Sequence, residues 1–247
     1  MKKRHGDIYL LPSVLSITSV LFGFLSLLSS FQAKFAWAAF WIIAAAVMDG
    51  LDGIIARATK AQSDFGVQLD SLADVFSFGA AASILLYFWG LQAAKTPGAL
   101  FSFIFLVGGI LRLARYNVLQ KNQSDRKHYV GLTVPSAAMF LSSLVLVHPK
   151  PLTTKLDAAG LSAIIVFVSF CMVSRIKYRN MLSFNYLKRI DLKMGLALAV
   201  IICGFILYTR IFLLIFFGLI VLSGPLTEVQ KSLKKARRSP APSESSP

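Results

Sequence analysis

Asp49-Gly50-Leu51-Asp52-Gly53-Ile54-Ile55-Ala56-Arg57 is followed, after eight residues, by Gly66-Val67-Gln68-Leu69-Asp70-Ser71-Leu72-Ala73-Asp74. Five of the eleven acidic residues in the 247-residue chain fall between Asp49 and Asp74. Both flanks are hydrophobic enough to lie in a membrane, where an unpaired carboxylate is expensive and marks function. This stretch is the candidate site, and the remainder of the chain reads as its scaffold.

Hydrophobic residues make up 56% of the chain and charged residues 15%, with a mean hydropathy of +0.67. Eight apolar runs can be marked, at residues 10–30, 35–57, 69–89, 99–113, 130–147, 158–173, 194–207 and 211–223. Most approach the ~20 residues that a helix needs to cross a hydrocarbon core. The expected fold is an all-α polytopic membrane helix bundle, with six core spans and two shorter C-terminal ones, eight in total. Four regions are expected: a juxtamembrane segment at 1–9, a core at 10–180, added C-terminal helices at 181–225, and a basic disordered tail at 226–247. No internal repeat is visible. Cys171 and Cys203 both sit in apolar segments without motif spacing, and read as packing residues rather than a disulfide or metal pair. Met1-Lys2-Lys3-Arg4 precedes an apolar run too long for a signal core, so the first span is expected to be retained.

The net charge of +15 could suggest a nucleic-acid partner, but the basic residues cluster between apolar runs. With the N-terminus in the cytoplasm, 21 of the 26 Lys and Arg residues fall inside, and Lys34, Lys95, Lys150, Lys155 and Arg210 fall outside. That bias supports eight spans with both termini cytoplasmic. It places the acidic stretch at the cytoplasmic surface, across a short turn at 58–65. Residues 178–191 mix apolar and basic side chains, and suit either an interfacial helix or a loop. The tail beyond Lys231 is suited to contact with anionic lipid.

On a helix, Asp49, Asp52, Gly53, Ala56 and Arg57 share one face, and Gly66, Asp70 and Asp74 form one stripe of the next. Facing stripes would gather four carboxylates that repel one another unless countercharge is bound. Mg²⁺ or Mn²⁺, hard cations that prefer oxygen, are the natural countercharge. Two such ions side by side could clamp a diphosphate. Gly53, Ala56 and Gly66 leave a groove for close approach of a phosphate, and Arg57 can donate to phosphate oxygens. Asp64, in the turn, reads as a solvated bystander. Small residues alone are often only packing contacts in membrane helices. Plain ion pairing does not account for the aspartates, because only Arg57 and Lys60 lie nearby.

Asp-x-x-Asp-Gly-x-x-Ala-Arg, eight residues, then Gly-x-x-x-Asp-x-x-x-Asp resembles the signature of the CDP-alcohol phosphatidyltransferase family at every fixed position. The resemblance implies a core of six membrane helices, a homodimer and a dinuclear metal site. It also implies displacement of CMP from a CDP-linked lipid by the hydroxyl of a small alcohol. Carried over, Asp49, Asp52, Asp70 and Asp74 would ligate the metals, with Asp74 also the general base. Gly53, Arg57 and Ser63 would touch the CDP-lipid. Leu69 to Gly79, Arg112-Leu113-Ala114-Arg115-Tyr116-Asn117 and Leu11-Pro12-Ser13 are similar to the serine-using branch. Gly131-Leu132-Thr133-Val134-Pro135-Ser136-Ala137-Ala138 is similar too, with Thr133 where that branch has Pro.

The expected function is therefore transfer of the phosphatidyl group from CDP-diacylglycerol to L-serine at the cytoplasmic membrane. Arg112 and Arg115, spaced i, i+3 on the fourth span, either bind the serine carboxylate or anchor the helix end among headgroups. Another small alcohol, or an archaeal ether CDP-lipid, is the alternative substrate. A divalent-cation transporter is the reading from a different class, but it would place its polar groups deeper in the membrane.

Overall fold

Along the first helix, α1 (His5–Phe31), the residues Val14, Ile17, Leu21, Phe24 and Leu28 stand exposed at helical spacing. A helix surrounded by water would carry polar groups on that face, so this one is dressed for lipid. Its inner face is the reverse. Ser16, Ser19, Gly23, Ser26 and Ser30 recur every three or four positions and are buried. Small side chains let neighbouring backbones come close, which is how helices associate without a hydrophobic drive from water. A Cβ on Gly23 would meet the Cα of Ser77 at 2.8 Å.

These features come from a computed structural model that describes residues 5–59, 64–122, 129–178 and 209–238. After a tight turn in which Ala33 takes a φ of 55°, α2 (Phe35–Thr59) returns antiparallel to α1. The helix α3 (Asp64–Asp74) continues without interruption through π-helical turns at Val75–Ala80 into α4 (Ala81–Leu86). A second π-helical stretch, Tyr87–Leu91, and a 3-10 turn, Gln92–Ala94, finish that rod. Then follow α5 (Thr96–Asn122), α6 (Val134–Val147), α7 (Lys155–Val173) and α8 (Thr209–Arg238). Among the described residues the only strands are the two-residue antiparallel pair β1 (Tyr129–Val130) and β2 (Lys177–Tyr178).

The all-α membrane bundle expected from the sequence is thus what forms. Among the described residues, six helices are long and apolar enough to cross a membrane, and Val134–Val147 is a shorter apolar helix. The expected span at 194–207 and most of the stretch at 178–191 lie outside the described residues. Two elements differ from expectation. The third span is longer than residues 69–89, reaching from Phe65 to Ala94. The last helix extends to Arg238, although residues from 226 onward were expected to lack structure.

Helix ends are closed by the sequence itself. Thr154 caps α7, accepting from the Asp157 backbone N–H at 3.1 Å while its hydroxyl donates to the Asp157 carboxylate at 2.6 Å. Thr133 caps α6 by accepting from Ser136 N at 3.3 Å. The departure at Thr133 therefore has a local use, since a proline has no hydroxyl to offer. At the end of the bundle remote from the aspartates, Trp89 Nε1 donates to the carbonyls of His148 at 2.9 Å and Lys150 at 3.0 Å.

The joint between β2 and α8 explains why Pro225 does not end the last helix. Proline has no N–H to offer the carbonyl four residues back, that of Val221. The Tyr178 hydroxyl donates to that carbonyl instead, at 3.3 Å. Burial holds this phenol well above its ordinary titration range, so it remains a donor. Gly224 makes room for the ring, since a Cβ there would lie 2.6 Å from Tyr178 Cε1. Beyond the proline, Glu228, Gln230 and the Lys and Arg residues are good helix formers, and the helix resumes. Gly224→Ala is expected to cost about 1–3 kcal/mol through overpacking against the ring. Tyr178→Phe should cost about 1 kcal/mol by leaving the carbonyl without its donor. Thermal unfolding in detergent micelles measures both.

Candidate active site

The aspartates point inward because they continue a packing stripe. On α2 the residues Ala38, Ile42 and Ala45 are completely buried at spacings of four and three. Continuing by four and three gives Asp49 and Asp52. The same helical phase that buries alanines against the bundle therefore delivers carboxylates into it. On the neighbouring rod, Asp70 and Asp74 lie one turn apart, and the buried Ser77, Phe78 and Ala81 follow.

The two stripes meet. One carboxylate oxygen from each of Asp49, Asp70 and Asp74 lies within 4.8 Å of the others. Asp49 is within hydrogen-bond reach of both partners. Asp52, one turn further along α2, is only 6% exposed and accepts a hydrogen bond from the Ser16 hydroxyl of α1. It lies within electrostatic reach of Asp49 and Asp70. Asp74 is 8% exposed, and its Oδ1 is buried without a hydrogen-bond partner. A carboxylate oxygen sealed from water with no donor is unfavourable, and a bound cation removes that cost. The donor set is all oxygen, which matches Mg²⁺ or Mn²⁺ rather than a softer metal. Asp49, Asp70 and Asp74 could hold such an ion together, with Asp52 beside them.

The two arginines of α5, alike in sequence, part company here. Arg115 Nη1 donates to the Val173 carbonyl at 2.6 Å, and its Nη2 donates to the Ser174 carbonyl at 3.0 Å. It caps the end of α7, where carbonyls lack intrahelical donors. Gly131, at a φ of 81°, brings the chain past this cap, and a Cβ there would come within 2.5 Å of the Met172 carbonyl oxygen. Arg112 is 6% exposed, lies over the Tyr116 ring at 5.2 Å and exerts its attraction on Asp74. Asn117 Nδ2 donates to the Ser71 hydroxyl at 2.9 Å, tying α5 to the acidic rod between Asp70 and Asp74.

Gly53 and Gly66 stand on the acidic helices as the spacing requires, each half-buried. Ala56 and Arg57 fall within α2, and Ser63 lies outside the described residues. Ser77 and Asn117 figure in the sequence only as members of longer blocks, without a role of their own, and Ser16 was not singled out. A serine in an apolar helix carries little signal by itself. The only hint was the repeat of small residues in α1 every three or four positions.

A bundle of membrane helices that converges carboxylates at one end defines an integral membrane protein with a buried acidic centre. Residues 9–174 match the CDP-alcohol phosphatidyltransferase family model, and the chain belongs to that family. It is 35% identical over 177 residues to a CDP-diacylglycerol–serine O-phosphatidyltransferase of Helicobacter pylori, covering 71% of this chain and 74% of the relative. An enzyme of the same name from Bacillus subtilis is 31% identical over 168 residues, covering 68% of this chain and 89% of the relative. An archaetidylserine synthase of Methanothermobacter thermautotrophicus is 35% identical over 178 residues, covering 71% and 72% respectively.

Removing the α7 cap should be felt in stability. Arg115→Ala is expected to cost about 1–3 kcal/mol, because the carbonyls of Val173 and Ser174 lose a charged donor. The check is a lowered thermal midpoint in detergent.

Proposed function

We propose that the chain transfers the phosphatidyl group of CDP-diacylglycerol to the hydroxyl of L-serine, giving phosphatidylserine and CMP. The observation that carries this reading is the convergence of carboxylate oxygens of Asp49, Asp70 and Asp74 to within 4.8 Å of one another, in a chain that matches this family over residues 9–174. The names of the relatives supply the alcohol.

Asp49, Asp52, Asp70 and Asp74 would hold divalent cations, two of them, which would supply positive charge to the donor diphosphate. Gly53, Ala56, Arg57, Ser63 and Gly66 provide the contacts to the CDP-lipid. Arg112 receives the carboxylate of serine, placing its hydroxyl near Asp74. Asp74 accepts the hydroxyl proton, and the serine oxygen bonds to the phosphorus that bears diacylglycerol. The bond from that phosphorus to the bridging oxygen of the diphosphate breaks, and CMP leaves with the electron pair. Arg57 offsets the charge that develops on CMP.

The site faces the cytoplasm from the cytoplasmic membrane, with both termini on the same side, as the distribution of basic residues supports. The working unit is a homodimer. Because one relative is an archaetidylserine synthase, an ether-linked CDP-lipid is the second donor to test.

The test is CMP release by purified protein supplied with CDP-diacylglycerol and a panel of alcohols, repeated with the ether-linked donor. Serine should be the preferred acceptor, and equal or better turnover with another alcohol would refute that choice. Asp74→Asn should lose about 10²–10⁴-fold in rate while keeping its helical spectrum. Chelation of divalent ions should stop turnover, and ordinary activity in excess chelator would overturn the metal reading. Arg112→Ala is expected to raise the KM for serine, whereas Arg115→Ala should leave it unchanged.

A further inference from the structure

The helix α1 carries none of the four clustered aspartates, yet one of its turns reaches both helices that do. Ser16 is 5% exposed, and its hydroxyl donates to Oδ2 of Asp52 across the α1–α2 interface. Ser19, one turn further along, is 1% exposed, and its carbonyl accepts from the Ser77 hydroxyl at 2.9 Å. Ser77 follows Asp74 by three residues, in the π-helical turn that begins directly after that aspartate. Gly23, the next buried small residue of the stripe, lets the backbones of α1 and the acidic rod meet closely enough for that bond. A single turn of α1 thus grips α2 at Asp52 and the rod just beyond Asp74.

From this geometry we infer that Ser16 is a positioning residue that fixes the Asp52 carboxylate for cation binding, with the Ser16–Ser19 turn setting the separation of the two acidic helices. A hydroxyl donating to one oxygen of a carboxylate restrains its rotation and leaves the other oxygen to serve as a ligand atom. Outer partners of this kind hold ligand groups in place, and their loss costs metal affinity even where every ligand is kept. The inference rests on the cation-dependent reading above, but it concerns a residue outside the family's signature.

The test is titration of Mn²⁺ into purified protein in detergent, without CDP-lipid or serine, reading the free ion by electron paramagnetic resonance. Ser16→Thr and Ser16→Val have nearly the same shape, and only the first keeps the hydroxyl. Ser16→Val is expected to weaken Mn²⁺ binding about 10–100-fold, and Ser16→Thr to stay near the parent. Ser16→Ala gives the same contrast with the parent if branched side chains do not pack at this crossing. Equal affinity with and without the hydroxyl overturns the inference. So does a protein that loses its helical spectrum only when the hydroxyl is removed, which would make Ser16 a folding residue. A parent that binds no Mn²⁺ overturns the cation reading itself, an outcome distinct from equal affinity among the variants.

Discussion

The helices around the acidic centre answer to the cost of holding several carboxylates close together inside an apolar bundle. Asp49, Asp70 and Asp74 bring oxygens within 4.8 Å of one another, and Asp52 is buried beside them. Like charges at that separation repel, and burial removes the water that would screen them. Such a cluster persists only if the surrounding structure over-determines it. The determinants are visible: the alanine stripe that fixes the phase of α2, the serine face of α1, and Asn117 tying α5 to the rod. Arg112 supplies nearby positive charge. The helices are arranged around a repulsion that they do not themselves relieve.

This arrangement divides the work between chemistry and placement in an unexpected way. The block that follows Asp74 reads in the sequence as the mark of the serine-using branch. In the structure Ser77, Phe78 and Gly79 are buried, and Ser77 bonds to the backbone of α1. Those residues pack the helix that carries Asp74 against its neighbours, and they lie inside the bundle. π-helical turns are rare, and inside α-helices they occur frequently at functional sites.

Much of the architecture was legible because helical phase is a property of sequence. The two acidic stripes and their convergence follow from counting three and four, and the six described spans follow from the length of the apolar runs. Arg112 and Arg115 could not be separated that way, since both share a face, and what distinguishes them is the partner opposite. The end of α7 stands against one and Asp74 against the other. The tail at 226–247 was expected to be disordered because it is basic and polar; in the structure α8 runs on to Arg238, and the donor that meets the Val221 carbonyl before Pro225 lies 43 residues away in sequence. The Ser16–Asp52 bond was hidden for the same reason, as an ordinary residue given meaning by a distant one.

The short helix α6 has a consequence for the lipid around the protein. Its 14 residues rise about 21 Å, well under the ~30 Å of a hydrocarbon core. A span that short, if it met lipid directly, would force the bilayer to thin beside it. The helix α8 packs along α6, with Gly218 against Phe140, and offers a 20-residue apolar stretch from Thr209 to Glu228. A segment beyond the family's matched region thus serves as a sleeve of full membrane thickness, and the bilayer meets a wall of ordinary height.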